Sequence, residues 1–318
     1  VKMGVIQSKQ KVLLSAQAER KPPGNDADYF KTSQGMWLYH KSWLPAGQPK
    51  GVLFIVHGLA EYCERYAKTA EEYNALGFAV FSHDHQGHGK SEGERVYIER
   101  FEDYVSDFYD YVGYVMDKHP SYSSLPRIVW GHSMGGLIAT HIVLDSKKYA
   151  ADWTGMIMTS PALLADPKAA SPPAQLLART LSNLVPKLEI PKANGPEAGN
   201  QLTHDDQTFE DFYSDPLVYH GGMRVRWLAE TLAAIARAQD EASQITLPYI
   251  LFHGSEDQRM SPVGSEEFHS KTSSSSKEYV AVDGGYHELH NELPEYRDPF
   301  MKRSCEWLLD AVKSVSRG

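Results

Sequence analysis

The sequence predicts an α/β protein, a mostly parallel central sheet flanked by helices and interrupted by a mainly helical cap. Three observations carry this expectation. Short apolar, β-branched runs recur along the chain, as strands buried on both faces require. Amphipathic or wholly apolar stretches of helical length lie between them. From about residue 161 to residue 243 the alternation stops, and proline joints separate helical pieces with no buried strand among them.

The elements follow in order. Residues 1–24 form an N-terminal extension. Tyr29 to Thr32 and Met36 to Trp43, separated by Ser33-Gln34-Gly35, read as a leading hairpin. Gly51 to His57, Phe78 to Phe81, Met156 to Met158 and Pro248 to Phe252 are the buried-strand runs. Phe101, Tyr104, Val105, Phe108, Tyr111, Val112, Val115 and Met116 share one helical face, which His119-Pro120 ends. Arg127 to Trp130 is a short strand, Leu137 to Leu144 a buried helix, and Lys277 to Val282 the last strand. The expected division is a core of residues 25–160 and 244–318 with a cap of residues 161–243. In the cap, Ser171-Pro172-Pro173 and Ile190-Pro191 are joints. Leu176, Leu177, Leu181, Leu184, Val185 and Leu188 fall within half of a helical wheel, which Pro186 bends or ends. Such a stripe either contacts lipid or closes over the cap's own core.

Composition removes several function classes. A net charge of −9 without any Lys/Arg block excludes nucleic acid as a partner, because phosphate binding needs concentrated positive charge. Two cysteines, Cys63 and Cys305, provide neither a disulfide framework nor a metal-binding C-x-x-C, so a reducing, cytoplasmic setting is expected. No apolar window is long enough to span a bilayer, and residues 1–24 lack the apolar stretch of a secretory signal. Met3-Gly4-Val5-Ile6-Gln7-Ser8 matches the N-myristoylation pattern at Gly4 if Met3 is the initiator. Lys9 and Lys11 add slight attraction to an anionic membrane, although one acyl chain anchors only marginally. Nothing in the sequence bears on oligomeric state.

The chemistry is concentrated at Gly131-His132-Ser133-Met134-Gly135-Gly136, a G-x-S-x-G elbow set between strand and helix. A serine hydroxyl is a weak nucleophile until a base takes its proton, and the base needs an acid to fix its tautomer. In this architecture the order is Ser, Asp or Glu, then His. Asp257 follows the run ending at Phe252, with Glu256 as its competitor; His287 follows the last strand, with His290 as its competitor. Two backbone N–H groups are needed for the developing oxyanion, and Met134 and Leu59 are placed to supply them. No metal site is expected: His83-Asp84-His85-Gln86-Gly87-His88 has glycine where a metallo-hydrolase would need aspartate, and Asp84 to Ser91 suits a structured turn. Cys63 has no base beside it in sequence and reads as a buried or idle thiol.

These residues resemble the monoacylglycerol lipases of the α/β-hydrolase superfamily. The similarity runs through the His57-Gly58 loop, Asp84 to Ser91, the elbow, Ser214-Asp215-Pro216-Leu217, Gly254 to Asp257, and Tyr286 to Glu292, and covers most of residues 30–312. The resemblance implies a triad of Ser133, Asp257 and His287 and oxyanion donors at Leu59 and Met134. It also implies a cap that forms an acyl tunnel and docks peripherally on membranes, and no cofactor. It places Glu61 and Arg65 in a pocket for the glycerol head, with Tyr213, or Phe212 in its stead, before Ser214. The chain has Ala60-Glu61-Tyr62 where the family has Gly-Glu-His. The expected activity is hydrolysis of monoacylglycerol through an acyl-enzyme. A lysophospholipase or broad carboxylesterase would use the same chemistry, although no phosphate clamp beyond Arg65 is evident. A non-catalytic ligand receptor is a third reading, weakened by the intact Ser, Asp and His.

Overall fold

In the computed structural model the described residues are 22–165, 171–190 and 200–315; Gly4 and Pro191 lie outside them. The continuous apolar runs become a sheet covered on both faces. The strands are β1 (Tyr29–Lys31), β2 (Trp37–Trp43), β3 (Gly51–Val56), β4 (Phe78–His83), β5 (Arg127–His132), β6 (Gly155–Thr159), β9 (Tyr249–Gly254) and β10 (Lys277–Val282). They lie in the order β1-β2-β4-β3-β5-β6-β9-β10. β1 pairs antiparallel with β2, setting Phe30 against Leu38, and β2 is antiparallel to β4; every pairing from β4 to β10 is parallel.

Alternation within each strand builds two core layers, because successive side chains leave opposite faces. Val52, Phe54 and Val56 enter one layer with Phe108 and Tyr111 of α2 (Phe101–Lys118), Leu137 and Ile138 of α3 (Met134–Leu144), and Phe268 of α7 (Pro262–Lys271). Leu53 and Ile55 enter the other with Ala70 and Tyr73 of α1 (Ala67–Ala75) and Phe300 and Leu308 of α8 (Pro294–Val315). The strand order reverses between β3 and β5, which places a crevice at their carboxyl ends. Leu59, Ser133, Asp257 and His287 all follow carboxyl ends of strands.

Between β6 and β9 the chain leaves the sheet through α4 (Pro172–Leu184), β7 (Glu189–Ile190), α5 (Asp206–Ser214), β8 (Met223–Arg224) and α6 (Val225–Asp240). β7 and β8 form a separate antiparallel ladder that the sequence reading does not anticipate, since two residues are too few to display alternation. α4 stops at Leu184, before Pro186, and three of its four leucines point outward: Leu176, Leu177 and Leu184 are 68%, 60% and 73% exposed, while Leu181 is partly buried. Val185 and Leu188 are exposed beside them. Backbone hydrogen bonds are among the contacts that fasten this segment to the core beside the crevice. The Tyr219 N–H donates to the Ala60 carbonyl at 2.8 Å, and the Glu288 N–H donates to the Leu202 carbonyl at 2.7 Å. Among the described residues no helix is long and apolar enough to cross a membrane.

Candidate active site

Ser133 sits between β5 and α3 with φ +55° and ψ −119°, a left-handed conformation that a non-glycine residue holds only when its surroundings enforce it, at about 1–3 kcal/mol. The flanking glycines make that turn sterically feasible. A Cβ on Gly131 would stand 2.2 Å from the Gly135 carbonyl oxygen, and one on Gly135 would stand 2.0 Å from the Val56 carbonyl oxygen.

The Ser133 hydroxyl donates to His287 Nε2 at 3.0 Å, and the ring's Nδ1–H donates to Asp257 Oδ2 at 2.7 Å, the tautomer this hydrogen-bond network requires. Asp257 is held from several sides. Its Oδ1 accepts the Arg259 and Met260 N–H groups at 2.8 and 3.0 Å, and its Oδ2 also accepts His253 Nε2–H at 3.1 Å. Burial alone would raise the Asp257 pKa, but the neighbouring His287 and the bonds from His253 and His287 outweigh it and hold the carboxyl well below the usual range. His253 was visible in the sequence only as a neighbour of Asp257, and its role depends on the return of the loop after β9. The two competitors stand apart. Glu256 is exposed and, among the described residues, makes no hydrogen bond to His287. His290 is buried against Tyr66, ring centroids 4.7 Å apart, and burial pushes its pKa down to about 3.

Leu59 follows β3 and Met134 opens α3. Among the described residues neither N–H is taken by a protein acceptor, so both remain available at the mouth of the elbow. The Leu59 loop is braced from behind. Glu61 Oε1 accepts the Gly58 N–H and the Tyr66 hydroxyl, both at 2.6 Å, and its Oε2 accepts Arg65 Nη1 at 2.5 Å. Arg65 also pairs bidentately with Glu288, at 3.0 and 2.8 Å, and stacks 4.6 Å from the Phe212 ring. One guanidinium thus serves two buried carboxylates. Burial raises the Glu61 pKa, aided by the charge of Glu288; at Glu288 the same burial is overcome by Arg65, which holds that carboxyl well below its ordinary value. Sequence reading missed Glu288, although an acid directly after the base, in a buried loop, was a usable signal.

Ser133 and His287 open into a cavity of about 270 Å³, lined also by Leu59, Glu61, Leu202, Phe212, Tyr213, Met223, Arg259, Met260 and Glu288. Phe212 and Tyr213 therefore both face it. Arg65 lines a different cavity, of about 260 Å³, with Tyr62, Asp215 and Asn291, so the expected head-group pair is divided between two spaces. Tyr62 closes the second space by donating to Asp215. Among the described residues no group of three or more His, Cys, Asp or Glu is arranged to hold a metal ion. Asp84 instead accepts the Cys63 and Lys90 N–H groups, both at 2.8 Å, and burial raises the Cys63 thiol far above its ordinary pKa. A hydroxyl with a base, a fixed acid and two open N–H donors is equipped for acyl transfer at an ester carbonyl.

The comparisons agree with that chemistry. The family model described as Hydrolase_4, serine aminopeptidase S33, matches residues 47–294. The monoglyceride lipase of Rattus norvegicus is 32% identical over 297 residues, spanning 92% of this chain and 95% of that protein. The crystal structure of a Paleococcus ferrophilus monoacylglycerol lipase is 26% identical with a TM-score of 0.72, over 86% of this chain and 99% of that one. A soluble variant of the Saccharomyces cerevisiae monoglyceride lipase, solved with a substrate analogue, shares the fold at a TM-score of 0.78 and 20% identity, over 92% of this chain and 96% of its own. From the rat relative and this breadth of match, the chain belongs to the monoglyceride lipase family of the α/β-hydrolases.

Proposed function

We propose that the chain hydrolyses monoacylglycerol to a free fatty acid and glycerol, with Ser133 as nucleophile, His287 as base and Asp257 as its orienting acid. Ser133 Oγ attacks the acyl carbonyl as His287 Nε2 takes its proton, and the Leu59 and Met134 N–H groups receive the oxyanion. Collapse breaks the acyl C–O bond, and His287 returns the proton to the departing glycerol oxygen. Water, deprotonated by His287, then attacks the acyl-enzyme and releases the fatty acid. The observation that carries this reading is the unbroken hydrogen-bonded line Ser133–His287–Asp257 at the wall of a largely apolar cavity.

In this reading residues 25–160 and 244–318 are the catalytic core and residues 161–243 the cap. The acyl chain packs on Leu59, Met223 and Met260; Glu61 and Tyr213 face the glycerol, and Arg65 acts through Glu61. The outward leucines of α4 dock the protein peripherally on a membrane surface from the cytoplasm, because a contiguous exposed apolar face is what an interface helix buries. A Gly4 myristoyl group would add to that attachment. The decisive test is turnover of 1-oleoylglycerol by Ser133→Ala together with fluorophosphonate labelling of the parent. A loss of at least about 10³-fold in kcat with labelling at Ser133 is expected. Turnover within tenfold of the parent would rule the mechanism out.

A further inference from the structure

The charged groups around the cavity are matched to one another with one exception. Asp257 is satisfied by His287, His253 and two backbone N–H groups. Glu61 and Glu288 share Arg65, and Glu61 is filled further by Gly58 and Tyr66. Arg259 also lines the cavity, and no carboxylate lies within 4 Å of its guanidinium among the described residues. Among the described residues its side chain makes one hydrogen bond, a long one from Nη2 to the Tyr213 hydroxyl at 3.4 Å, and its Nε is buried with no acceptor. A partly buried guanidinium with an unmet N–H is costly, and a planar fork of donors suits a carboxylate or phosphate. The Arg259 N–H donates to Asp257 Oδ1 at 2.8 Å, so the backbone from which this side chain springs is fixed relative to the acid that orients His287.

Its place in the cavity indicates which part of a substrate it meets. Arg65 stacks on Phe212, Phe212 meets Tyr213 with ring centroids 5.3 Å apart, and Tyr213 touches Arg259. Arg259 therefore shares the cavity with Glu61 and Glu288 and borders, through the Phe212 and Tyr213 rings, the polar group centred on Arg65. Repulsion by those two carboxylates is blunted, since both are engaged by Arg65.

We propose that Arg259 is a specificity residue that lets the chain also hydrolyse single-chain acyl esters whose alcohol carries an anionic oxygen group, a phosphate monoester or a carboxylate. This rests on the ester-hydrolase reading above. The reaction is unchanged: Ser133 takes the acyl group, the proton held by His287 goes to the departing alcohol oxygen, and water releases the fatty acid. The phosphate or carboxylate leaves intact on its alcohol, held by the guanidinium until release.

The test compares kcat/KM for 1-oleoylglycerol, 1-oleoylglycerol 3-phosphate and the oleoyl ester of glyceric acid in identical detergent micelles, using the full chain, Arg259→Met and Arg259→Lys. In Arg259→Met the ratio of the better anionic ester to the neutral one should fall at least fivefold from the parent's value, with Arg259→Lys falling less. A smaller fall overturns the proposal, and the preferred anionic ester names the group. A measurement on the parent alone covers the event that the variants misfold. The ether analogue of the phosphate ester should compete for fluorophosphonate labelling of Ser133 at a concentration at least fivefold lower than the neutral ether, and weaker competition overturns the proposal. Absence of 1-oleoylglycerol turnover would instead remove the monoacylglycerol reading, while the competition experiment still decides the role of Arg259.

Discussion

Replacing Glu61 separates two roles that its position allows: holding the glycerol head, or holding the oxyanion loop. The geometry argues for the loop, because Oε1 takes the Gly58 N–H at 2.6 Å one residue before Leu59, and the Tyr66 hydroxyl at the same distance. Glu61→Ala leaves those two buried donors without an acceptor, at about 1–3 kcal/mol each, so about 2–6 kcal/mol of stability should be lost. Arg65 keeps its two bonds to Glu288 and is not left as an isolated buried charge, which holds the cost below that of a fully broken pair. If the loop relaxes, the Leu59 N–H no longer meets the oxyanion, and removal of one such donor costs about 10²–10³ in kcat. The contact exists only in the transition state, so the loss falls on kcat and not on KM. Glu61→Gln retains an oxygen for Gly58 and Tyr66 and should lose about tenfold or less, consistent with one charge-assisted bond of about 1.5–3 kcal/mol being partly compensated. Steady-state kinetics on 1-oleoylglycerol, with urea unfolding to verify the folded fraction, give the answer. A Glu61→Ala enzyme whose KM rises while kcat stays within threefold would refute the bracing role and return Glu61 to head-group binding alone.

Two further outcomes follow from other parts of the structure. Burial depresses the pKa of His57, His83, His85 and His132, and brings His40 and His88 down to about 4, so these rings are neutral in the folded chain and titrate near 6.5 once unfolded. Their contribution is fully present above about pH 6.5 and is lost as pH falls toward 4, each ring adding a slope of up to about 1.4 kcal/mol per pH unit. Asp84 and Asp107, raised to about 6 and about 8, oppose this but are fewer, so the urea midpoint should drop clearly between pH 7.5 and pH 5; an unchanged midpoint would mean the rings charge without penalty. On α4, changing Leu176, Leu177 and Leu184 together to serine should lower the ratio of vesicle-borne to soluble-ester turnover at least tenfold. Each leucine stands to bury apolar surface worth as much as about 1.5–3 kcal/mol at an interface, and a ratio within twofold of the parent's would exclude α4 as the docking face.

What could be read without the structure was whatever is written locally. Gly51 to Val56 has no polar residue because both its faces are covered, and such runs identify strands of a parallel sheet directly. The elbow was legible because Gly131 and Gly135 are required by approaches of 2.2 and 2.0 Å, and the order Ser133, Asp257, His287 follows from strand ends in chain order. The remainder depends on residues far apart in the chain. Arg65 and Glu288 are separated by 223 positions, and no periodicity connects them. His253 and Arg259 become informative only when the loop after β9 folds back on Asp257. The stripe on α4 was visible as a stripe, but a helical wheel cannot say whether protein or solvent lies against it; the exposure of Leu176 and Leu184 can.

The buried Glu61–Arg65–Glu288 group is better understood as a brace than as a source of stability, since desolvating three charges consumes most of what their attraction returns. Glu61 is bonded to the loop that carries Leu59, and Glu288 follows His287 directly. Arg65 therefore cross-links the Leu59 loop after β3 to the His287 loop after β10. The segment between β6 and β9 is attached to the same two loops, through Tyr219 to the Ala60 carbonyl and through Leu202 to the Glu288 N–H. Ala60 and Glu288 are thus two of the points at which that segment holds the core, and the shared guanidinium links the loops that carry them. An apolar brace of equal volume would fill the space, yet it would fix neither the Gly58 N–H nor the direction of the two loops, because packing lacks the directionality of charged hydrogen bonds.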